Sequence, residues 1–130
     1  MLCAMVTSNK NTQAAAARPE VRFRMRIRTG DTVAIGPGKV ALLAAVQEHG
    51  SISAAARSLG MSYRRAWMLI DELNRSLKSP ATESAQGGEH GGGCTLTSTG
   101  ENIVRLYREV EEKANKACAA QITALTKLIR

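Results

Sequence analysis

Aromatic side chains are scarce in this chain: one Trp, two Tyr and one Phe among 130 residues. That argues against a base-stacking platform, which needs several aromatics on one surface. Cysteine is also sparse. Cys3, Cys94 and Cys118 are odd in number and widely spaced, with no CxxC pair and no His at zinc-finger spacing, so reduced thiols are expected rather than a disulfide framework. His90 and Cys94 lie close together, but two ligands in a glycine-rich loop fall short of a metal site; neither metal nor cofactor is expected. No segment approaches the roughly 18 uninterrupted apolar residues of a membrane span, and the N-terminus has no apolar signal core. The expectation is a soluble, cytoplasmic protein without membrane contact. There is no P-loop and no nucleophile elbow, and the adjacent acids Asp71-Glu72 and Glu111-Glu112 point to different helix faces. No enzyme is expected.

What the chain does have is positive charge, with 18 Lys and Arg against 11 Asp and Glu, or +7. A field of that sign attracts polyanions, nucleic acid or an acidic membrane surface. The excess divides into six basic against two acidic residues in 1–35 and twelve against nine in 36–130. It therefore matters by position rather than by total. At this length the chain suits one domain with tails, its core built from Ala, Leu, Ile, Val and Met on helices.

Residues 1–19 are rich in Ala, Asn, Gln and Thr, lack hydrophobic periodicity and read as a flexible N-terminal tail. Val21–Arg28 alternates, with Val21, Phe23, Met25 and Ile27 on one face and four arginines on the other, the period of a one-sided strand. Its arginine row suits phosphates or simply keeps an exposed strand soluble. Gly36-Pro37-Gly38 precedes a helix with Leu42, Leu43 and Val46 in its core stripe and Gly50 at its end. Ser51 or Ser53 caps a short second helix, Ala54 to Leu59, before Gly60. A third helix follows Ser62 and runs through Leu77. Helical geometry places Tyr63, Ala66, Ile70, Leu73 and Leu77 on its apolar side, Trp67 and Asn74 at the edge, and Arg64, Arg65, Met68 and Arg75 facing away.

Residues 81–97 read as a β-hairpin with the glycine-rich tip GGEHGGG. Thr97 or Ser98 caps a final helix, with Glu101 completing a capping box from Ser98. The apolar positions Ile103, Leu106, Val110, Ala114, Ala117, Leu125 and Leu128 recur at three- and four-residue steps almost to the C-terminus. A continuous helix of about 30 residues measures about 45 Å, longer than a small domain can cover. A second copy of the chain is the simplest partner, so Ile103, Leu106, Val110, Ala117, Leu125 and Leu128 are the expected dimerisation residues. The fold class is thus mainly α with a small β-sheet. A winged helix-turn-helix over residues 20–97 leads into a long C-terminal dimerisation helix over 98–130.

The run from Gly50 to Ile70 has helix-turn-helix spacing: Ala56 lets two helices approach, Gly60 accepts a positive φ, and Ala66 and Leu69 lock the second helix. In such motifs the N-terminal residues of the second helix reach base edges in the major groove of double-stranded DNA. Ser62, Arg64, Arg65 and Met68 occupy that surface, and the arginines suit guanine edges or phosphates alike. Tyr63 and Trp67 read first as packing residues whose polar edges also reach a sugar or phosphate. Lys39, Arg57 and, on the wing, His90 are further candidate contacts. Asp71 and Glu72 repel phosphate, which suggests that the later helix rises out of the groove. A winged-helix adaptor that binds protein instead is the competing reading.

The run GPGKVALLAAVQEHGSISAAARSLGMSYRRAWMLIDELN, followed by GGEHGGG and LTSTGENIVRLY, resembles the N-terminal winged-helix domain of ModE-type, molybdate-responsive bacterial transcriptional regulators. Its front half also resembles the LysR-type helix-turn-helix. The resemblance implies a homodimer reading a palindromic operator and, with the full family architecture, repression of molybdate-uptake genes. Full-length members bind molybdate in C-terminal β-rich domains, for which 130 residues leave no room. Molybdate binding is therefore not expected of this chain.

Overall fold

The computed structural model describes residues 17–85 and 92–130. Residues 23–116 form one compact unit; the described parts of a second are residues 17–22 and 117–130. In the larger unit, strands β1 (Ile27–Thr29) and β2 (Thr32–Ile35) lead into α1 (Pro37–His49), α2 (Ile52–Ser58) and α3 (Tyr63–Ser76). Strands β3 (Thr82–Ala85) and β4 (Gly93–Leu96) follow, then α4 (Ser98–Ala117). The smaller unit contains α5 (Ala119–Thr126) and a surface ion pair between Arg22 and Glu20 at 3.0 Å.

Both sheets are two-stranded and antiparallel. The alternating run at 21–28 predicts a longer strand than forms. Only its end pairs, Arg28 with Val33 and Thr29 with Thr32, across a turn at Gly30 whose φ is +59°. Phe23 and Met25 nonetheless keep the inward side, half-buried, while Arg22, Arg24, Arg26 and Arg28 are exposed. Tyr107 fixes this segment by donating its hydroxyl to the Met25 carbonyl at 2.9 Å.

Helix α1 is the centre of the core. Its Leu42, Ala45 and Val46 pack with Ala55, Ala56, Ala66, Ile70 and Cys94, while Leu43 packs with Leu73, Ala81 and Val104. Leu43 and Val46 are wholly buried, each contributing roughly 1.5–3 kcal/mol of transfer free energy. The helix begins with Pro37 in its first turn and ends at Gly50, whose φ of +79° puts its N–H on the Val46 carbonyl. The Cys94 N–H then binds the Gly50 carbonyl at 2.9 Å, tying β4 to that turn.

Short hydrogen bonds fix the hairpin β3–β4 at both ends of its base. Asn74, near the end of α3, accepts from the Ala81 N–H at 2.7 Å and donates to Thr82 Oγ1 at 3.1 Å. Thr97 donates its N–H to the Ala81 carbonyl, and its Oγ1 caps α4 by accepting from the Gly100 N–H at 3.2 Å. Thr97, not Ser98, is therefore the cap. Gly100 stands at the third helical position, so the box expected from Ser98 and Glu101 is one residue out of register. A Cβ on Gly100 would lie 2.2 Å from the Ala81 carbonyl oxygen, so no side chain fits there without moving backbone.

The single long C-terminal helix is also corrected. At Cys118 the backbone turns to φ −104° and ψ 14°, and two helices replace one. No described helix is long and apolar enough to cross a membrane.

Candidate nucleic-acid interface

The second helix of the motif is positioned by its turn. The N–H groups of Leu59, Gly60 and Met61 bond back to carbonyls of Ala55, Ala56 and Arg57, and Gly60 takes φ +68°. Ser51 caps α2 through the Ala54 N–H and Ser62 caps α3 through the Arg65 N–H, both at 3.1 Å. Ala55, Ala56 and Ala66 are at most 1% exposed, and their small side chains let the two helices approach closely. Ser62 thus serves α3 with its hydroxyl while lying at the surface.

This packing presents Arg64, Arg65 and Met68 outward, Met68 being 54% exposed. With Ser62, Leu69 and Glu72 they line an open concavity of about 340 Å³. Among the described residues, neither arginine enters an ion pair. Their charges face solvent at the end of a helix whose dipole already attracts anions. Arg57 is exposed in the last turn of α2 and likewise has no ion-pair partner among the described residues.

Three sequence expectations change here. Tyr63 and Trp67 are 54% and 47% exposed, so the buried part of α3's apolar face begins at Ala66 and neither aromatic is a core residue. Both border a groove with Ile52, Ser53, Ser84, Gly92, Gly93 and Cys94. Lys39 does not face solvent at all: it is 6% exposed, donating to the Val33 carbonyl and to Glu72 Oε1 at 2.5 Å. An ammonium held that way has no open side for a phosphate. The acids of α3 are themselves matched, Glu72 by Lys39 and Asp71 by Arg75 at 3.1 Å. His90 lies outside the described residues.

Beneath the groove between α3 and β4, burial pushes the Cys94 thiol above its ordinary value, opposed by a hydrogen bond with Thr82. The described residues contain no group of three or more potential metal ligands.

A second surface of the larger unit is apolar. Met25, Ile27, Ile35, Ile103, Leu106, Tyr107 and Val110 line a shallow concavity with almost no polar atoms. Ile27, Leu106 and Val110 are 49%, 51% and 43% exposed. Ile103 is half-buried against the Leu43 cluster and also lines this concavity. Ala117 is exposed at the end of α4, as are Leu125 on α5 and Leu128 beyond it. Burial raises the pKa of Tyr107 beneath this surface, and Glu111 adds to the rise against the lowering effect of Arg24, Arg26 and the bond to Met25.

Comparison with known proteins agrees with the geometry. Residues 38–101 match the family described as bacterial regulatory helix-turn-helix protein, lysR family. The chain is 45% identical to the molybdenum-pterin-binding protein MopB of Rhodobacter capsulatus, over 65% of this chain and 30% of that protein. It is 32% identical to the molybdenum transport protein ModE of Azotobacter vinelandii, over 82% and 43%. With the DNA-binding transcriptional dual regulator ModE of Escherichia coli K12 it shares 37% identity, over 60% and 31%. The chain therefore spans less than half the length of these relatives. The DNA-binding domain of CbnR, crystallised with DNA, shares the fold at TM-score 0.52 and 23% identity, over 68% of this chain and 95% of that one. Residues 38–101 thus match the bacterial regulatory helix-turn-helix of the lysR family, and the chain is similar over part of its length to proteins named ModE and MopB.

Proposed function

We propose that this chain is a sequence-specific, ModE-type transcriptional regulator that binds double-stranded DNA through the front of α3, as a homodimer on a palindromic operator. The carrying observation is the pair Arg64 and Arg65, exposed and without ion-pair partners among the described residues, at the first turn of the second helix of the motif. Ser62 and Met68 share their concavity and Tyr63 is exposed beside them, completing a surface that can enter a major groove. Arg57 adds a phosphate contact from α2, and His90 is a further proposed contact. The apolar surface containing Leu106 and Val110 supports the homodimer, because lone protomers rarely leave such surfaces in water. Ala117, Leu125 and Leu128, in the smaller unit, are further proposed pairing residues. The names of its relatives support control of genes for molybdenum handling.

Selection of bound fragments from host genomic DNA tests this reading. Enrichment of one palindrome, with affinity falling steeply as salt rises, is the expected result. Absence of any enriched sequence sinks it, and salt-independent capture of a protein would favour the adaptor reading.

A further inference from the structure

Lys39 is the one buried charged side chain among the described residues, and the motif as read so far gives it no task. It stands in the first turn of α1, yet its ammonium reaches the Val33 carbonyl in β2 and the Glu72 carboxylate on α3. Three elements therefore meet at one nitrogen. Glu72 is a different kind of partner, since its carboxylate is 53% exposed and lines the same concavity as Arg64 and Arg65. Left alone there, a carboxylate would repel an incoming phosphate or compete with it for a guanidinium. The buried ammonium neutralises it from behind, without occupying the surface.

We propose that Lys39 is a positioning residue for DNA binding: an internal counter-ion that cancels the Glu72 charge and so leaves Arg64 and Arg65 free for phosphate or base. The inference rests on the DNA-binding reading above and deepens it. A buried ammonium stripped of its carboxylate is costly, so the pair acts as a unit. Lys39 assists binding without touching DNA, and that separates it from a phosphate ligand. A lysine that meets phosphate releases a counter-ion and contributes about 0.9 to the slope of log K against log salt. An internal counter-ion acts on the slope only through the charge it cancels, so once Glu72 is neutral its loss leaves the slope unchanged.

The test measures binding of a mixed-sequence 20-base-pair duplex across a salt series for the full chain and for Lys39→Met, Glu72→Gln and the double variant. Both lysine variants lose the bond to Val33 equally, so their difference isolates the Glu72 charge. Lys39→Met should bind about fivefold more weakly at low salt, with the deficit shrinking as salt rises. The double variant should return to within about twofold of the parent, with the parent's slope. Glu72→Gln should bind at least as tightly as the parent, and circular dichroism spectra should coincide for all four proteins. A loss of about 0.9 in slope for both lysine variants would make Lys39 a direct contact and overturn the inference alone. So would a folded double variant as weak as Lys39→Met, since that is what a purely structural role predicts. If the parent fails to bind the duplex at all, the DNA-binding reading falls and takes this inference with it.

Discussion

The larger unit carries two exposed surfaces of opposite chemistry. On the front of α3, Arg64 and Arg65 stand in water without ion-pair partners among the described residues, and beneath the same concavity a buried lysine cancels the local acid. At the β1–α4 surface, Ile27, Leu106 and Val110 stand in water with almost no polar group among them. Solvation suits the first surface and not the second. Exposure therefore has two meanings in one small fold: the guanidinium front is stable as it is and gains from an anion, whereas the apolar face gains from being covered.

If the two surfaces are separate devices, they can be broken separately. The largest effect should come from replacing Arg64 and Arg65 by Ala. Each is worth about 1–3 kcal/mol of operator affinity, so the pair should cost about a hundredfold or more in a gel-shift titration while oligomeric state and melting temperature hold. Unchanged affinity would mean that the front is not the contact surface. Leu106→Lys with Val110→Lys should do the reverse. Sedimentation should show monomers, and affinity for a two-half-site duplex should fall by about tenfold or more through lost avidity, with half-site binding retained.

Asn74→Ala probes what joins the α3 front to the hairpin. Losing its side chain strands the Ala81 N–H, so chemical denaturation should register a loss of about 1–3 kcal/mol, and a stability within error of the parent would show that water replaces the amide. The smallest effect concerns pH. Cys94 lies beneath the groove between α3 and β4 and Tyr107 beneath the apolar face, and both have raised pKa values, chiefly through burial. The unfolded chain ionises these groups first and so binds fewer protons. Stability should accordingly be flat at neutral pH and decline as pH rises through the ordinary thiol value of 9.0 towards the ordinary phenol value of 10.0. Cys94→Ala should flatten the first part of that decline, and an identical slope would assign it elsewhere.

Local signals carried most of the fold. Ser51, Ser62, Gly50 and Gly60 act at the helix ends where their chemistry suits them, and the strands flanking the glycine run, Thr82–Ala85 and Gly93–Leu96, pair antiparallel. What escaped the sequence depends on distant partners. Lys39 reads as a surface charge until Glu72, 33 residues away, closes over it. The arginine-rich strand reads longer than it is because alternation reports sidedness, not whether a neighbour is present to pair; β2, the neighbour that does pair, follows the turn at Gly30-Asp31, a signal not used. The break at Cys118 has neither Gly nor Pro to announce it. Angular position alone reads Tyr63 as inward, yet the side chain is 54% exposed, because the angle on a helix does not say where a packing neighbour ends.

Asn74 has a mechanical meaning as well. One amide grips the root of the hairpin through Ala81 and Thr82, so α3 and the hairpin are joined like the arms of a caliper at a pivot made by that amide and the core that Ile70 shares with Cys94 and Leu73 with Ala81. A caliper gauges. On the proposed DNA-binding reading, a duplex meeting both arms would be gauged for width, and tightening or loosening that pivot would change which groove shapes are accepted.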